Sequence, residues 1–317
     1  MAEILTVTLN PAVDVATSVE LLEPTRKLRC AAARRDPGGG GINVARVLQR
    51  LGGDCLAVYL AGGVTGHVLQ DLLAAEQAAS VCLGIGAETR ENFSVFETST
   101  GREYRFVLPG PTLTAREWQS CTDYIDALAS PPCYLVLSGS LPPGAPVDAY
   151  ACIARSARGR GVRVVLDTSG PALATALQAG VFLVKPSLNE LRGLSGKALV
   201  EEREWCKAAR RIVQDGQASI VALTLGDRGA LVVTGDRTLR APAFPVQVSS
   251  SIGAGDSFVA AMVWALNRDC SLENAFRYAL AAASATLLVA GTGLCKQADV
   301  ERFYRALVDS QSFLISG

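Results

Sequence analysis

Helical and strand-like segments alternate between residues 114 and 225, and this alternation constrains the fold more than any other feature of the sequence. The amphipathic segments predict helices at 114–128, 147–159, 171–178 and 201–215, and the short apolar runs predict strands at 134–137, 162–166, 181–184 and 219–225. Strands joined by helices of this length pair in parallel, and the connecting helices cover both faces of the sheet. The sequence therefore predicts an α/β domain of three layers, α/β/α, around a mostly parallel sheet.

Two segments that precede this alternating region depart from its pattern and predict a small additional β-sheet. Residues 15–35 are polar and broken, whereas 91–97 and 103–108 alternate in polarity on either side of a Thr-Ser-Thr-Gly turn. Such alternation around a short turn is typical of a β-hairpin. We expect a single domain over 1–317, with a core of 1–13, 36–88 and 110–317 and a lid of 14–35 and 89–109.

Composition narrows the classes of function. Thirty basic residues balance thirty acidic ones, which argues against nucleic acid or a membrane surface as a partner. The single histidine, His67, nearly excludes Ser-His-Asp chemistry and multi-histidine metal sites. Nine cysteines without a CxxC spacing, together with the lack of a signal peptide, favour reduced thiols and a cytoplasmic protein. No apolar run reaches the roughly 20 residues of a membrane span.

The sequence Gly253-Ala254-Gly255-Asp256 precedes an apolar run at 258–266 and predicts a glycine turn opening into a buried helix. The first turn of a helix presents backbone N–H groups without intrahelical partners, together with the positive end of the dipole, and this arrangement binds phosphate. Asp256 beside such a site suggests a base that takes a proton from a nucleophile. Taken alone, an ordinary helix start explains the motif equally well.

Other motifs add possible ligand contacts. Four glycines at 38–41 run directly into an amphipathic helix, as expected where the backbone approaches a ligand closely, yet neither a Walker loop nor a dinucleotide GxGxxG is present. Asp14 follows the first strand, 4–9, and parallel sheets bind ligands beyond the carboxyl ends of their strands. Several basic residues near the predicted lid would form a phosphate clamp if they converged on one cleft.

Taken together, the blocks at 38–66 and 253–256 resemble the two signatures of the ribokinase-like carbohydrate kinases, the phosphofructokinase B family. The segments 6–14, 138–144 and 183–186 are typical of the branch that acts on phosphorylated ketohexoses. The resemblance covers essentially the whole chain. It implies a ribokinase-like fold and ATP-dependent phosphorylation of a ketohexose phosphate, with fructose 6-phosphate to fructose 1,6-bisphosphate as the first choice. Fructose 1-phosphate and tagatose 6-phosphate remain alternative substrates, and a non-catalytic sensor of sugar phosphate or nucleotide is a second alternative.

The resemblance also assigns roles to residues of this chain. It makes Asp256 the catalytic base, and it makes Gly253, Ala254 and Gly255 the N–H donors to the transferred phosphoryl group. It assigns the sugar and its phosphate to Asp14, Lys27, Arg29, Gly38, Gly39, Asn43, Arg90, Arg105, Ser138 and Gly139. It assigns ATP to Lys185, Ser187, Thr224, Gly226 and Gly229, and Mg²⁺, through water, to Glu190. A monovalent cation, K⁺, would bind backbone carbonyls of Ser250, Ile252 and residues 285–291.

Two positions depart from the family pattern. Ser187 stands where the family has the asparagine of an Asn-x-x-Glu motif, and Glu23 stands where some members carry an aromatic residue for a second, inhibitory ATP. An exposed lid sheet has unpaired edges, so that pairing with the lid of a second copy is a natural outcome. We therefore expect a homodimer formed through the lid.

Overall fold

The computed structural model describes residues 2–309 and the backbone of 314–316. Its strands are β1 (Ile4–Thr8), β2 (Ala12–Val19), β3 (Arg34–Gly38), β4 (Cys55–Ala61), β5 (Ser80–Gly84), β6 (Arg90–Glu97), β7 (Arg102–Val107), β8 (Tyr134–Ser138), β9 (Arg163–Asp167), β10 (Val181–Val184), β11 (Ala218–Thr224), β12 (Ala230–Val233), β13 (Thr238–Ala241) and β14 (Leu314–Ser316). Its helices are α1 (Gly40–Arg50), α2 (Gly63–Ala75), α3 (Ala115–Asp126), α4 (Ala149–Gly159), α5 (Gly170–Gln178), α6 (Leu188–Ser195), α7 (Glu202–Gln214), α8 (Ala254–Asn267), α9 (Leu272–Leu287) and α10 (Gln297–Asp309).

The larger sheet has the strand order β14-β13-β12-β11-β10-β9-β8-β1-β4-β5. From β11 to β5 every neighbouring pair is parallel, whereas β12, β13 and β14 extend the sheet in antiparallel fashion. The carboxyl ends of the parallel strands consequently lie along one edge of the sheet, which is where open α/β sheets bind their ligands.

Alternate side chains of the parallel strands belong to two separate cores. In β1, Leu5 and Val7 face a core that includes residues of α3, α4, α5, α6 and α7. Ile4 of the same strand faces a second core built with α1, α8, α9 and α10. Successive side chains of a strand point to opposite faces, so these near-continuous apolar runs require cover on both sides. The predicted three-layer α/β/α arrangement with a mostly parallel sheet is confirmed.

A separate four-stranded sheet has the order β3-β2-β6-β7. β2 pairs in parallel with β6, and the predicted hairpin β6–β7 is antiparallel. Helix α2 packs beneath this sheet through Leu69 and Leu73, which share a small core with Val13 and Val15 of β2. These strands lie largely within the segments assigned to the lid, although β2 begins at Ala12 and β3 continues to Gly38.

Several elements were not predicted. Strands β5 and β13 have only five and four residues, too few for their alternation to stand out in the sequence, and they pair with β4 and β12. Helix α6 begins directly after Pro186, where a capping box between Ser187 and Glu190 satisfies its first backbone donors. The predicted helix after the glycine turn is present as α8 and begins at Ala254. Within the described ranges, every helix is too short or too polar to cross a lipid bilayer.

Candidate active site

The candidate site lies at the carboxyl edge of the parallel strands. Strands β8, β9 and β11 end at Ser138, Asp167 and Thr224, and Lys185 directly follows β10. Because these strands are neighbours in one sheet, four polar side chains meet at a single edge. The amino terminus of α8 and the second sheet close this edge from the other side, since Asp256 and Arg105 line the same cavity as Asp167 and Lys185.

The turn that opens α8 exposes backbone donors. Gly253 has φ 78°, a left-handed conformation that side chains rarely adopt, and a Cβ there would lie 2.5 Å from the Leu294 side chain. After this turn, the N–H groups of Gly255 and Asp256 have no acceptor among the described residues. Free N–H groups at the positive end of a 14-residue helix form a site for an anion.

The carboxyl group of Asp256 lies beside these donors and is held by Asn43, whose Nδ2 donates to Oδ2 across 2.8 Å. Burial and the negative charge of Asp167 raise the pKa of Asp256 to about 7, against the opposing effects of Asn43, Lys185 and Arg105. Protonated and ionised forms are therefore both populated near neutral pH. A base works best when its pKa lies near the operating pH, so this environment suits Asp256 to proton abstraction.

Lys185 and Asp167 form an ion pair across 3.0 Å beside Asp256. Burial raises the pKa of Asp167, while Lys185 opposes the shift. Burial lowers the pKa of Lys185, but Asp167 and the carboxylates of Glu190 and Asp256 outweigh it, and the ammonium stays charged. A Cβ on Gly255 would lie 3.5 Å from Nζ of Lys185, which places this cation next to the free donors of α8. Our sequence prediction gave Asp167 no role; its position at the end of a parallel strand was the available signal.

Two cavities meet at the α8 turn. The smaller, about 380 Å³, contains Asp256, Asp167, Lys185 and Arg105. The larger, about 880 Å³, is lined by four of the residues assigned to ATP, namely Ser187, Thr224, Gly226 and Gly229. Ser251 and Gly255 line both cavities, so the free donors of α8 stand where the two join. A group bound at this junction can therefore be approached from both cavities.

The larger cavity combines an apolar wall with a polar end. Phe244, Val246 and Leu280 contribute apolar surface, which suits a flat heterocyclic base. At the polar end, the Ser187 hydroxyl accepts from the N–H of Glu190 at 3.3 Å, and a carboxylate oxygen of Glu190 accepts from the N–H of Ser187 at 2.6 Å. Ser187 thus serves as the cap of α6, and its hydroxyl is partly engaged.

Two of the predicted sugar residues, Asp14 and Gly38, are in contact. The buried carboxylate of Asp14 accepts from Nδ2 of Asn92 at 2.8 Å, and a Cβ on Gly38 would lie 2.5 Å from it. Burial raises the pKa of Asp14, whereas Asn92, Arg105 and Arg90 lower it. Gly39 has φ 115°, which glycine adopts without strain.

The turn after β8 completes this side of the site. The buried hydroxyl of Ser138 has no hydrogen-bond partner among the described residues, and a Cβ on Gly40 would lie 2.3 Å from it. The carbonyl of Gly139 accepts from the hydroxyls of Tyr150 and Thr168. A buried, unpartnered hydroxyl is costly in a folded protein, so the Ser138 hydroxyl is available to a water molecule or to a polar ligand.

The four basic residues assigned to a phosphate clamp are not equivalent. The exposed side chain of Arg105 makes no ion pair or hydrogen bond with another side chain or carbonyl within residues 2–309, and it lines the smaller cavity. Arg90 donates to the carbonyls of Asn10, Pro11 and Leu108 and so joins the end of β1 to the hairpin. Lys27 and Arg29 are exposed on the connection between β2 and β3 and line neither cavity.

The loops assigned to a monovalent cation are neighbours. The N–H of Ser249 donates to the carbonyl of Leu287 at 2.7 Å, which brings residues 249–252 against 285–291. The carbonyl oxygens of Ser250 and Ile252 accept no hydrogen bond from another described residue. These two unpaired carbonyl oxygens fit the oxygen ligands that a hard cation prefers, whereas the carbonyls of Ala285, Thr286 and Leu287 already accept hydrogen bonds.

Comparisons with known sequences give a consistent result. A sequence model described as "pfkB family carbohydrate kinase" matches residues 7–299. ATP-dependent 6-phosphofructokinase isozyme 2 of Mycobacterium tuberculosis is 44% identical over 95% of this chain and 88% of its own length. The Escherichia coli protein of the same name is 40% identical over 97% and 99%. A 1-phosphofructokinase of Xanthomonas campestris is 34% identical over 87% and 88%.

Solved structures agree with the sequence matches. Phosphofructokinase-2 from Escherichia coli in complex with potassium superposes with a TM-score of 0.93 at 40% identity, covering 97% of this chain and 100% of the other. Its complex with fructose-6-phosphate gives 0.92 at 39% identity with the same coverage. Its tetrameric inhibited form gives 0.90 at 38% identity, again with 97% and 100% coverage.

Proposed function

We propose that this chain, which belongs to the pfkB family of carbohydrate kinases, transfers a phosphoryl group from ATP to fructose 6-phosphate and forms fructose 1,6-bisphosphate. The chain is a phosphotransferase that acts on an alcohol group. One observation supports the proposed mechanism most directly. The Asp256 carboxyl, with a pKa of about 7, lies beside free N–H groups of α8 where two cavities join.

In the proposed reaction, Asp256 takes the proton of the sugar hydroxyl as its oxygen attacks the terminal phosphorus of ATP. The new P–O bond forms as the bond to the ADP oxygen breaks, and the proton ends on Asp256. Negative charge on the transferred group faces the N–H groups of Gly253 and Gly255 and the ammonium of Lys185. The N–H of Ala254, assigned the same role from the sequence, donates to the carbonyl of Ser251 at 3.4 Å and would have to exchange that contact for the phosphoryl group. Phosphoryl transfer requires alignment and charge neutralisation more than covalent help, and donors of this kind can contribute about 3–4 kcal/mol.

The sugar would lie on the Asp14 side of Asp256. Asp14, Gly38, Gly39 and Asn43 would bind its hydroxyls. Asn43 contacts Asp256 directly, and Gly38 lies against the carboxylate of Asp14. The sugar's own phosphate would face Arg105, whose guanidinium is free, and the turn at Ser138 and Gly139. Arg90 uses three of its five N–H groups for protein carbonyls, so two remain for the same phosphate.

ATP would occupy the larger cavity, with its base against Phe244 and Val246 and its phosphates towards Lys185. Mg²⁺ usually binds through one or two carboxylates together with substrate phosphates and water. The described residues contain no cluster of three or more metal-ligating side chains, and Asp167 and Glu190 are close enough to affect each other's charge. These two carboxylates fit a hydrated Mg²⁺ that arrives with the nucleotide and neutralises its phosphates.

K⁺ would bind between the two loops described above, through carbonyls of Ser250, Ile252 and residues 285–291. The unpaired carbonyl oxygens support this assignment. A bound cation there would steady the segment that leads into the Gly253 turn. The structure of the Escherichia coli relative with potassium adds support from a related chain.

The smaller sheet would act as a lid and as the contact between two copies. Phe93, Phe106 and Val107 are exposed on its hairpin, with 38%, 51% and 56% of their surface accessible. Apolar groups in this position favour pairing with a second lid. In such a homodimer, the exposed Lys27 and Arg29 are free to approach a sugar phosphate. A cytoplasmic location fits this activity.

A panel of acceptors tests the assignment. ADP release is measured with fructose 6-phosphate, fructose 1-phosphate, tagatose 6-phosphate, free fructose and adenosine, each with and without K⁺. The proposal expects the highest kcat/KM with fructose 6-phosphate. A preference for fructose 1-phosphate or tagatose 6-phosphate would show that the chain is a kinase of that sugar phosphate instead. Faster turnover of free fructose or adenosine would show that the basic residues assigned to the phosphate clamp do not bind a sugar phosphate.

A further inference from the structure

We infer that Arg46, which lines neither cavity of the active site, is a positioning residue that fixes the amide of Asn43 in the orientation that donates to Asp256. The inference rests on the proposed role of Asp256 as the base. Nothing in the motifs pointed to Arg46, which lies in the middle of α1 and would ordinarily be a solvated helix residue.

The guanidinium of Arg46 is buried and donates four hydrogen bonds. Its accessible surface is 1%. Nε and Nη2 donate to the two carboxylate oxygens of Glu76 at 2.8 and 2.5 Å. Nη1 donates to the carbonyl of Pro37 at 2.9 Å and to Oδ1 of Asn43 at 3.3 Å. The bidentate contact with Glu76 fixes the plane of the guanidinium and therefore the direction of Nη1.

This contact determines which end of the Asn43 amide faces Asp256. Arginine offers only donors, so it stabilises the orientation in which Oδ1 faces Arg46 and Nδ2 faces the carboxyl group. In the flipped orientation, Nδ2 of Asn43 would face the N–H groups of Arg46, and Oδ1 would face the carboxylate of Asp256. Neither pair can form a hydrogen bond. Without Arg46, the amide is free to flip and accept a hydrogen bond from protonated Asp256. Arg46 thereby favours the ionised form of the base.

The other charged groups facing Asp256 come from different elements and do not depend on Arg46. They are Asp167 at the end of β9, Lys185 after β10 and Arg105 of β7. Asn43, on α1, is the polar neighbour that lowers the pKa of Asp256 most directly, through its hydrogen bond. Loss of that bond raises the pKa of Asp256, so that a higher pH is needed to ionise the base and reach the full rate.

The test compares pH profiles of kcat. Arg46→Met is expected to move the acid limb to higher pH by about one unit, the scale of one hydrogen bond to a charged group, and to recover most of the wild-type rate above that limb. Arg46→Lys keeps a donor-only group and is expected to retain the wild-type limb. Arg50→Met is the matched control, since Arg50 also approaches Glu76, at 3.8 Å, but donates to the carbonyls of Leu294 and Cys295 and not to Asn43.

A second variant guards against failure to fold. Arg46→Met with Glu76→Met removes both members of this ion pair, and such apolar replacements are often tolerated. Asp36, which lies 3.9 Å from Arg46, keeps its ion pair with Arg34, and Arg50 keeps its contacts with the carbonyls of Leu294 and Cys295. A rate that falls equally at every pH, or an equal shift in the Arg50→Met control, would overturn the inference by showing a merely structural role.

A titration without turnover separates this inference from the proposed function. The carbon-13 resonance of the Asp256 carboxyl, identified by its absence in Asp256→Asn, reports the pKa directly. We expect it to rise in the Arg46→Met protein and in the double variant. An unchanged titration would overturn the role of Arg46 even in an active kinase, while a wild-type protein without kinase activity would overturn only the function.

Discussion

The hydroxyl of Ser250 contacts the carboxylate of Glu103, with oxygen distances of 2.9 and 3.1 Å, and joins the hairpin of the smaller sheet to the loop before the Gly253 turn. The same hydroxyl accepts from the N–H of Ile252 at 3.2 Å. A single buried hydroxyl therefore connects strand β7 to the segment that positions the donors of α8. This contact thus links the smaller sheet to the segment that shapes the anion site.

Glu103→Ala is expected to raise KM for the sugar phosphate and to increase ATP hydrolysis in the absence of sugar. If the smaller sheet acts as the proposed lid, loss of the contact loosens the hairpin and admits water to the site, which a closing element normally prevents. Glu103→Gln keeps an acceptor for Ser250 and should behave like the wild type. Steady-state kinetics with and without sugar measures both effects, and identical behaviour of the Ala and Gln variants would contradict the coupling.

Arg105→Ala is expected to raise KM for fructose 6-phosphate by about 10- to 100-fold with a smaller effect on KM for ATP. Arg105 has a free guanidinium at the smaller cavity, and a hydrogen bond to a charged group contributes roughly 1.5–3 kcal/mol. Arg102→Ala is the matched control, because Arg102 is exposed at the start of the same strand and pairs in register with Glu97. Equal KM values for wild type and Arg105→Ala would remove this residue from the clamp.

Asp256→Asn is expected to stabilise the protein, and more so at pH 8 than at pH 5.5. The pKa of Asp256 is raised from 3.8 to about 7, mainly by burial, so the folded state binds the proton more tightly than the unfolded state. Its contribution to stability is fully present below pH 3.8 and is lost as the pH rises through about 7. A shift of roughly three units corresponds to at most about 4 kcal/mol.

Chemical denaturation of both proteins at the two pH values measures this difference. Asparagine can still accept the hydrogen bond from Asn43, so the comparison isolates the charge. An Asp256→Asn protein that is less stable than the wild type at pH 8 would contradict the raised pKa.

Much of the architecture could be predicted because it follows from local patterns. The alternation of helices and apolar strands over 114–225 fixed the parallel sheet and the edge at which ligands bind. The glycine motifs also identified the family correctly, and four of the five residues assigned to ATP line one cavity. Glycine turns at strand ends are local signals, and the sheet brings them together without further information.

Contacts between distant segments could not be predicted in the same way. Burial of Arg46 depends on Glu76, which lies 30 residues away, directly after α2, and a helical pattern cannot show that a charged residue points inward. The ion pair of Lys185 with Asp167 likewise joins two strand ends that become neighbours only in the sheet. Arg90 was predicted to hold phosphate, yet its contacts with three carbonyls depend on how the hairpin docks on β1.

The most direct test of the account is the turnover of Asp256→Asn measured together with substrate binding. General-base catalysis contributes about 10²- to 10⁴-fold, so kcat should fall by that range while the Kd values for ATP and fructose 6-phosphate stay within a few-fold of wild type. A variant that keeps near wild-type kcat, with both substrates still bound, would contradict the central claim that Asp256 removes the proton from the sugar hydroxyl.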